Sequence, residues 1–498
     1  MDNADAIQMS RESTSSDVER VDLTKQRSVL VWNEIQLLMS IAVPTVIIQL
    51  GSTIPAAMTA SSIGRHLGSV HLDGVTLANL TGNLLTLALL WGLYSASDTL
   101  GPQAFGAGNY KEVGLIAIRG FVGSMLILIP INLVLFFTME DLLVMFGESA
   151  EPSRLAAQWY RVYTFTLPFC ALYLAIWKFL SSQEILMPVV LAMVISTGVV
   201  LPVALSVLVP TWGFMGSAFA ILIFQVFEPL FLLAYLAWWK PYHPETWPGL
   251  SHWREALAWE PFKMYMQLGF GGMLAGGEWA WWEFISLIIG TLGVVPLSAH
   301  TIPTQFLNVG YSIPLGIGTA LAIRLGSMLP VNVPRAKQLV LWSFVATITL
   351  FAVLSFLMYL SRASIFALFT TDPLVLEEVD KIWWKVIAYY FSLSAFGVVT
   401  GVAVGLGMQW TLGIVNLGML WFVALPGLYV QAIRYGGGLE AAWSWIFPPY
   451  MVMSVILMYR FCVSNWDAIS EEIREREGME DKPDNSDGPT EQTPLLLL

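Results

Sequence analysis

The stretch GGEWAWWEFISLIIG, residues 276–290, carries two carboxylates, Glu278 and Glu283, in a run otherwise apolar and aromatic enough for lipid. A charged side chain at mid-bilayer costs about 2.5–3.5 kcal/mol on insertion scales, so a helix that keeps two acids there has a use for them. Low dielectric disfavours the charged form; such a group can hold a proton and exchange it for an organic cation. Trp279, Trp281 and Trp282 offer π-faces to that cation, worth about 1–2 kcal/mol when desolvated. Five residues turn a helix by about 500°, leaving the carboxylates roughly 140° apart and ~7.5 Å apart along the axis. Both reach water only if the helix lines a wide cavity or bends at Gly276–Gly277. The competing reading is a structural acid bonded to a neighbouring helix, with the tryptophans as an interfacial belt.

A third acid, Glu228 in FQVFEPLF, adjoins Pro229, which frees a backbone carbonyl and can kink a helix. It is either a second proton site in the other half of the chain or an acid facing a polar neighbour. Glu278, Glu283 and Glu228 are thus the candidates for proton and cation coupling. Asn83, Gln49, Trp279, Trp282, Tyr311 and Gln305 are the candidates for substrate binding, with Trp91 beside them; such residues also commonly pack between helices. His300 is a weaker candidate, able to titrate with the pH of one side. Asp98 and Gln103 are expected to cap and hold the loop after the second span, with Gly101, Gly106 and Gly108 allowing its tight turn.

The elements that position these groups follow from composition. The 498 residues are 56% hydrophobic and 12% charged, against about 25% charged in a soluble domain. Between about residues 35 and 462 the chain is a series of apolar runs near the ~20 residues that span a bilayer. Twelve spans are expected, at about 36–60, 73–97, 114–138, 158–180, 186–208, 214–238, 264–290, 298–323, 338–360, 383–404, 411–432 and 440–462. An even number puts both tails on one side. Lys and Arg in the loops nearly balance, with Lys178 and Arg324 counted on the tail side and Lys385 opposite. The basic residues of the tails tip the balance to the cytoplasm. Much of the net charge of −12 lies in the tails and says little about partners. The N-terminus lacks a signal-peptide pattern. Cys170 and Cys462 lie in or beside separate spans, which supports neither a disulfide framework nor a metal cluster.

The chain also repeats itself. LLVMFGESAEPSRLAAQWYRVYTF after the third span matches ALFTTDPLVLEEVDKIWWKVIAYY after the ninth in pattern, and SSQEILMPVVL pairs with GLGMQWTLGIVNL. Six spans per half make the repeat parallel, which places a cavity between the halves near the midplane. The expected organisation is a disordered tail (1–34), a six-helix bundle (35–238), an inter-bundle loop (239–263), a second bundle (264–463) and an acidic disordered tail (464–498).

HLDGVTLANLTGNLLTLALLWGLYSASDTLGPQAFGAGNYKEVG resembles the second-span signature of the multidrug and toxic compound extrusion (MATE) family, with its S-A-x-D-T-L and Q-A-x-G-A elements. The eighth span is similar to that family's Y-x-I-P-L-G and R-x-G pattern, FTTDPLV to its F-T-x-D turn, and EWAWWE to the acidic seventh span of the eukaryotic branch. The resemblance implies an all-α fold of two pseudo-symmetric six-helix bundles around a V-shaped cavity. It implies a secondary active antiporter, not an enzyme, that exports organic, mostly cationic or amphipathic, molecules from the cytosol in exchange for protons. It supports Glu278 and Glu283 as site residues and a polar residue at Asn83. Three departures stand out. Counting back from Gln409 to the place where many eukaryotic members have a tenth-span acid reaches Leu393, and no acid lies nearby. Asparagines expected in the fifth span are absent from LAMVISTGVVLPVALSVLV. The loop after the eighth span reads SMLPVNV.

The terminus EQTPLLLL puts three residues between Glu491 and Leu495–Leu496, the acidic dileucine pattern read by clathrin adaptors. It points to an endosomal, lysosomal or vacuolar membrane first and the plasma membrane second. The expected partners are a small organic substrate, protons and the bilayer, with a monomer, no nucleic acid, no cofactor and no metal. A lipid or lipid-linked flippase would call for cationic cavity residues, against which these acids argue. A transporter-like protein with lost or altered ion coupling is kept open by the missing tenth-span acid.

Overall fold

The computed structural model describes the backbone of residues 3–479 and the side chains of residues 33–479. The described chain is helical, without strands. Helix α1 (Asn3–His66) becomes apolar from Asn33 onward. Its backbone is thus helical through the N-terminal segment expected to be disordered. There follow α2 (Ser69–Gly106), α3 (Tyr110–Met145), α4 (Ala150–Ser181), α5 (Met187–Trp212) and α6 (Phe214–Trp239). The seventh span comes in two pieces, α7a (Trp259–Ala275) and α7b (Gly277–Gly290), broken at Gly276 where the sequence allows a bend. Then come α8 (Val294–Met328), α9 (Val333–Leu360), α10 (Pro373–Gly405), α11 (Gln409–Arg434) and α12 (Gly438–Val463). Eleven of these are single helices long and apolar enough to cross a membrane, and the broken α7 makes the twelfth.

The first difference from expectation on the tail side and in the bundles concerns charge. Lys178 and Lys385, counted as loop residues, lie inside the bundles. Lys178 Nζ pairs with Asp98 at 2.8 Å and lies over the Trp177 ring at 4.6 Å. Asp98 therefore binds a neighbouring helix instead of capping the loop. Lys385 Nζ donates to the Glu440 carbonyl at 2.7 Å and to its carboxylate at 3.0 Å. Removing both from the loops changes the charge count by one on each side, so the orientation argument still depends on the tails.

The second difference is a helix inside the C-terminal tail, expected to be disordered from residue 464. Here α13 (Trp466–Glu477) begins with Asn465 Oδ1 accepting from the Asp467 and Ala468 amides at 3.2 Å. Its inner face is tied down: Ser470 Oγ donates to the Leu329 carbonyl at 2.9 Å and Arg474 Nε to that of Pro330 at 2.7 Å. Arg476 donates to Gln103 Oε1 at 2.8 Å, and Asn109 donates to the Glu477 carboxylate at 3.0 Å. The helix therefore touches the end of α8 in one bundle and the α2–α3 turn in the other.

The bundles meet along their tail-side halves. Thr45 of α1 donates to the Gly316 carbonyl of α8 at 2.9 Å, and Thr99 of α2 to that of Val404 at 2.6 Å. Gln103 Nε2 reaches the Gly405 carbonyl at 2.9 Å, and Ser97 Oγ the Tyr265 hydroxyl at 2.8 Å. Small residues allow this approach. A Cβ on Gly106 would lie 2.0 Å from the Ser327 carbonyl oxygen, and one on Gly272 would lie 2.2 Å from that of Gly92. Gly106 thus serves close packing between bundles, while Gly108, at φ 80°, makes the turn. From mid-depth to the far face, no hydrogen bond or ion pair joins the bundles among the described residues. The polar contacts that seal the bundles together thus lie on the tail side.

Candidate functional site

The break at Gly276 sets α7b so that Glu278 turns into the second bundle. Glu278 is buried, and its carboxylate accepts a hydrogen bond from Tyr450 Oη of α12 at 2.7 Å. The same Tyr450 oxygen accepts from Trp282 Nε1 at 3.2 Å. Tyr389 of α10 stands edge-on to Tyr450 at 4.9 Å and to Trp282 at 5.3 Å between ring centroids. Tyr311 of α8 meets Trp279 edge-on at 6.3 Å. No Lys, Arg or His forms an ion pair with Glu278 among the described residues. The result is a carboxylate at mid-depth boxed by phenols and indoles. Glu283 lies exposed on another face of the helix and makes no hydrogen bond or ion pair among the described residues. The wide angle expected from the five-residue spacing separates the two acids into different environments.

Of the substrate candidates, Trp279, Trp282 and Tyr311 gather at Glu278; Trp279 is 59% exposed. Gln305 lies exposed on α8, about one and a half turns before Tyr311. Gln49 of α1 is buried, and Asn83 is exposed where α2 takes a π-helical turn (Asn83–Leu87). No hydrogen bond joins these three residues to the Glu278 box among the described residues. Trp281 and Trp91 are packing residues. Trp281 is fully buried against Tyr450, and Trp91 meets Trp177 edge-on at 5.3 Å. His300 is buried among Ser286, Thr304 and Trp443, in the second turn of α8.

Glu228 lies in the first bundle, buried near the middle of α6, and accepts a hydrogen bond from Ser196 Oγ at 2.9 Å. Ser196 opens a π-helical turn (Ser196–Val200) in α5, so the fifth span supplies hydroxyls where asparagines were expected. Leu393, at the position of the missing tenth-span acid, is a buried packing residue, and α10 gives the box Tyr389 instead. Sequence reading missed Tyr389, Tyr450 and Ser196. A phenol in FPPYMVMS, within an otherwise apolar span, was the available signal for Tyr450. The dileucine residues Glu491, Leu495 and Leu496 lie outside the described residues.

A family model described as MatE matches residues 34–206 and 277–430. The chain is similar to Multidrug and toxin extrusion protein 2 of Oryctolagus cuniculus, 30% identical over 455 residues that cover 90% of this chain and 74% of the relative. It is also similar to Multidrug and toxin extrusion protein 1 of Rattus norvegicus, 32% identical over 79% of this chain and 69% of the relative. Among solved structures, the eukaryotic MATE transporter AtDTX14 shares the fold with a TM-score of 0.81 at 22% identity, covering 90% of this chain and 99% of that one. An outward-facing multidrug resistance MATE family transporter aligns with a TM-score of 0.76 at 17% identity, over 87% and 96% of the two chains. With the family model covering well over half of its residues, the chain belongs to the MATE family: it is an integral, multi-pass membrane transporter and not an enzyme.

Proposed function

We propose that this transporter is an antiporter that expels organic cations from the cytosol in exchange for protons, with Glu278 as the coupling group of the second bundle. The observation that carries the reading is the box around Glu278: a buried mid-depth carboxyl held by Tyr450 and ringed by Tyr389, Tyr311, Trp279 and Trp282, with no basic partner. Such a carboxyl satisfies its charge with a proton or with a cation from the cleft, but not with both. The exposed indole of Trp279 offers a cation–π face at the entrance. Glu283 adds negative charge nearby, while Gln49, Asn83 and Gln305 are wall residues for substrate contact. Both tails face the cytosol, so the sealed side is cytosolic and the cleft opens to the lumen or exterior. The C-terminal Glu491, Leu495 and Leu496 direct the protein, through clathrin adaptors, to an endosomal, lysosomal or vacuolar membrane. There an acidic lumen supplies protons that return as substrate leaves the cytosol. The protein works as a monomer.

The test is uptake of a fluorescent organic cation into proteoliposomes under an imposed pH gradient. Wild type accumulates the dye in proportion to the gradient, and Glu278→Gln, folded by its elution profile, does not. Gradient-driven uptake that survives Glu278→Gln would remove the carboxyl from the mechanism.

A further inference from the structure

The first bundle contains a second buried acid that the Glu278 box leaves unused, and its surroundings are as selective. Glu228 sits at mid-length on α6, 4% exposed, bonded to Ser196 Oγ at 2.9 Å. The helices packed against α6 supply no cation to it. Helix α5 has no titratable residue at all. In α1, from Glu34 onward, the titratable residues are Glu34, Arg65 and His66, all at its ends. In α4, Lys178 is committed to Asp98, Arg161 donates to the Phe136 carbonyl at 3.2 Å, and Arg154 is exposed near the start of the helix. Cys170 and Tyr173, buried in the middle of α4, are not cations either.

What surrounds Glu228 is polar without being charged. Thr197 Oγ1 and Gln225 Oε1 are buried with no partner. Gln225 lies one turn before Glu228 on the same face of α6. Pro229 removes the amide that would bond the Gln225 carbonyl, and the π-helical turn at Ser196 loosens the backbone of α5 opposite. Pi-turns of this kind are concentrated at functional sites. A purely structural acid would be matched by donors that fix its charge. Here the carboxyl has one hydroxyl partner, Ser196, while the next residue of α5 and the preceding turn of α6 carry two buried polar oxygens without partners, Thr197 Oγ1 and Gln225 Oε1, an arrangement suited to an O–H that must have somewhere to point.

We propose that Glu228 is a second proton-carrying group, so that one transport cycle moves two protons, one held in each bundle. The proposal rests on the proton-coupled reading of Glu278 and extends it. The proton is held on a Glu228 carboxyl oxygen, arrives from the open side of the cleft and is released on the tail side after the bundles rearrange. Two protons exchanged for one monovalent organic cation leave one positive charge moved with the protons, so transport is electrogenic. With a single site, exchange of one proton for one cation is electroneutral.

The experiment uses the full chain in proteoliposomes and radiolabelled tetraethylammonium, a permanent cation that carries no proton of its own. The substrate gradient giving zero net flux is measured against a tenfold proton gradient with the membrane potential clamped at zero. Each proton contributes one factor of ten, so two protons balance a ~100-fold substrate gradient and one proton a ~10-fold gradient. Wild type is expected near ~100-fold and Glu228→Gln near ~10-fold, with the potential dependence of the exchange lost in the variant. A wild type at ~10-fold, or a Glu228→Gln that stays at ~100-fold, overturns the proposal. If Glu228→Gln does not fold or turn over, the wild type decides: a zero-flux gradient indifferent to an imposed potential overturns the second site. A wild type that ignores the pH gradient altogether refutes instead the proton-coupled reading beneath it.

Discussion

The tail-side seal contains an ion network whose removal has a calculable effect. Arg324 of α8 lies between two carboxylates of the other bundle, Glu184 in the α4–α5 turn at 2.8 Å and Glu34 of α1 at 3.4 Å. Glu34 is also bound by Arg335 of α9. These groups are half-buried: Glu34, Arg324 and Glu184 side chains are 12%, 19% and 20% exposed. Exposed pairs are worth about 0–1 kcal/mol, and stripping one partner from a fully buried pair costs about 3–5 kcal/mol. Arg324→Ala falls between and loses about 2 kcal/mol of tail-side closure, a factor of ~30 in the equilibrium between sealed and unsealed arrangements. A protein unsealed ~1% of the time would become unsealed about a fifth of the time.

The assay is a distance measurement between spin labels at Lys111 of α3 and Lys337 of α9. Both sit at the tail-side face in different bundles and are 46% and 51% exposed. Cys170→Ala and Cys462→Ser remove the native thiols. Wild type gives one short-distance population; Arg324→Ala adds a longer one. Glu184→Gln gives a smaller shift, and the double variant falls short of the sum because the two substitutions break the same contact. A distance distribution unchanged by Arg324→Ala would show that the glycine-mediated packing alone holds the seal.

Two further outcomes follow from charges at the tail-side end. Asp98→Ala leaves the Lys178 ammonium, 4% exposed, without its carboxylate; it should lower stability by about 3–5 kcal/mol, and Asp98→Leu combined with Lys178→Met should recover most of that loss in thermal unfolding of the detergent-solubilised protein. The carboxyl of Glu477 on α13 is pushed above the usual carboxylate range by burial, with the Arg476 charge opposing. The docked helix therefore binds a proton more tightly than the released helix, so docking strengthens on acidification and weakens as pH rises through the raised value. Hydrogen exchange of residues 466–477 should quicken across that window in wild type, beyond the intrinsic rise of exchange with pH, and Glu477→Gln should remove the extra pH dependence.

How much of this was legible beforehand depends on the kind of signal. The twelve spans and the bend at Gly276 follow from rules local to a segment: apolar length, and glycines that tolerate a break. The Glu278 box was half-legible. Its acid and indoles lie within five residues of one another, but Tyr389 and Tyr450 join it from spans more than a hundred residues away, and no local pattern marks a phenol as facing inward. The charge count shows the opposite failure. Lys178 and Lys385 were placed in loops by their positions near span ends, yet each has a single partner, Asp98 and Glu440, that draws it inside.

Glu184 shows how long-range contacts override a local rule. Its φ of 62° is a conformation that usually selects glycine, and Gly407, at φ 74°, occupies the corresponding turn in the other bundle. In each turn an amide one residue on closes back on the preceding helix, Ile185 to the Leu180 carbonyl at 3.0 Å and Met408 to that of Ala403 at 2.7 Å. The two halves thus keep the same turn and fill it differently. A left-handed non-glycine residue costs about 1–2 kcal/mol, comparable to what Arg324 returns by holding the Glu184 carboxylate across the seal. The position is therefore conditional: its strain is offset while the bundles are closed on the tail side and unopposed once they part. Local strain at Glu184 and closure of the seal are then one equilibrium, which is a reason for the first half to carry an acid where the second carries glycine.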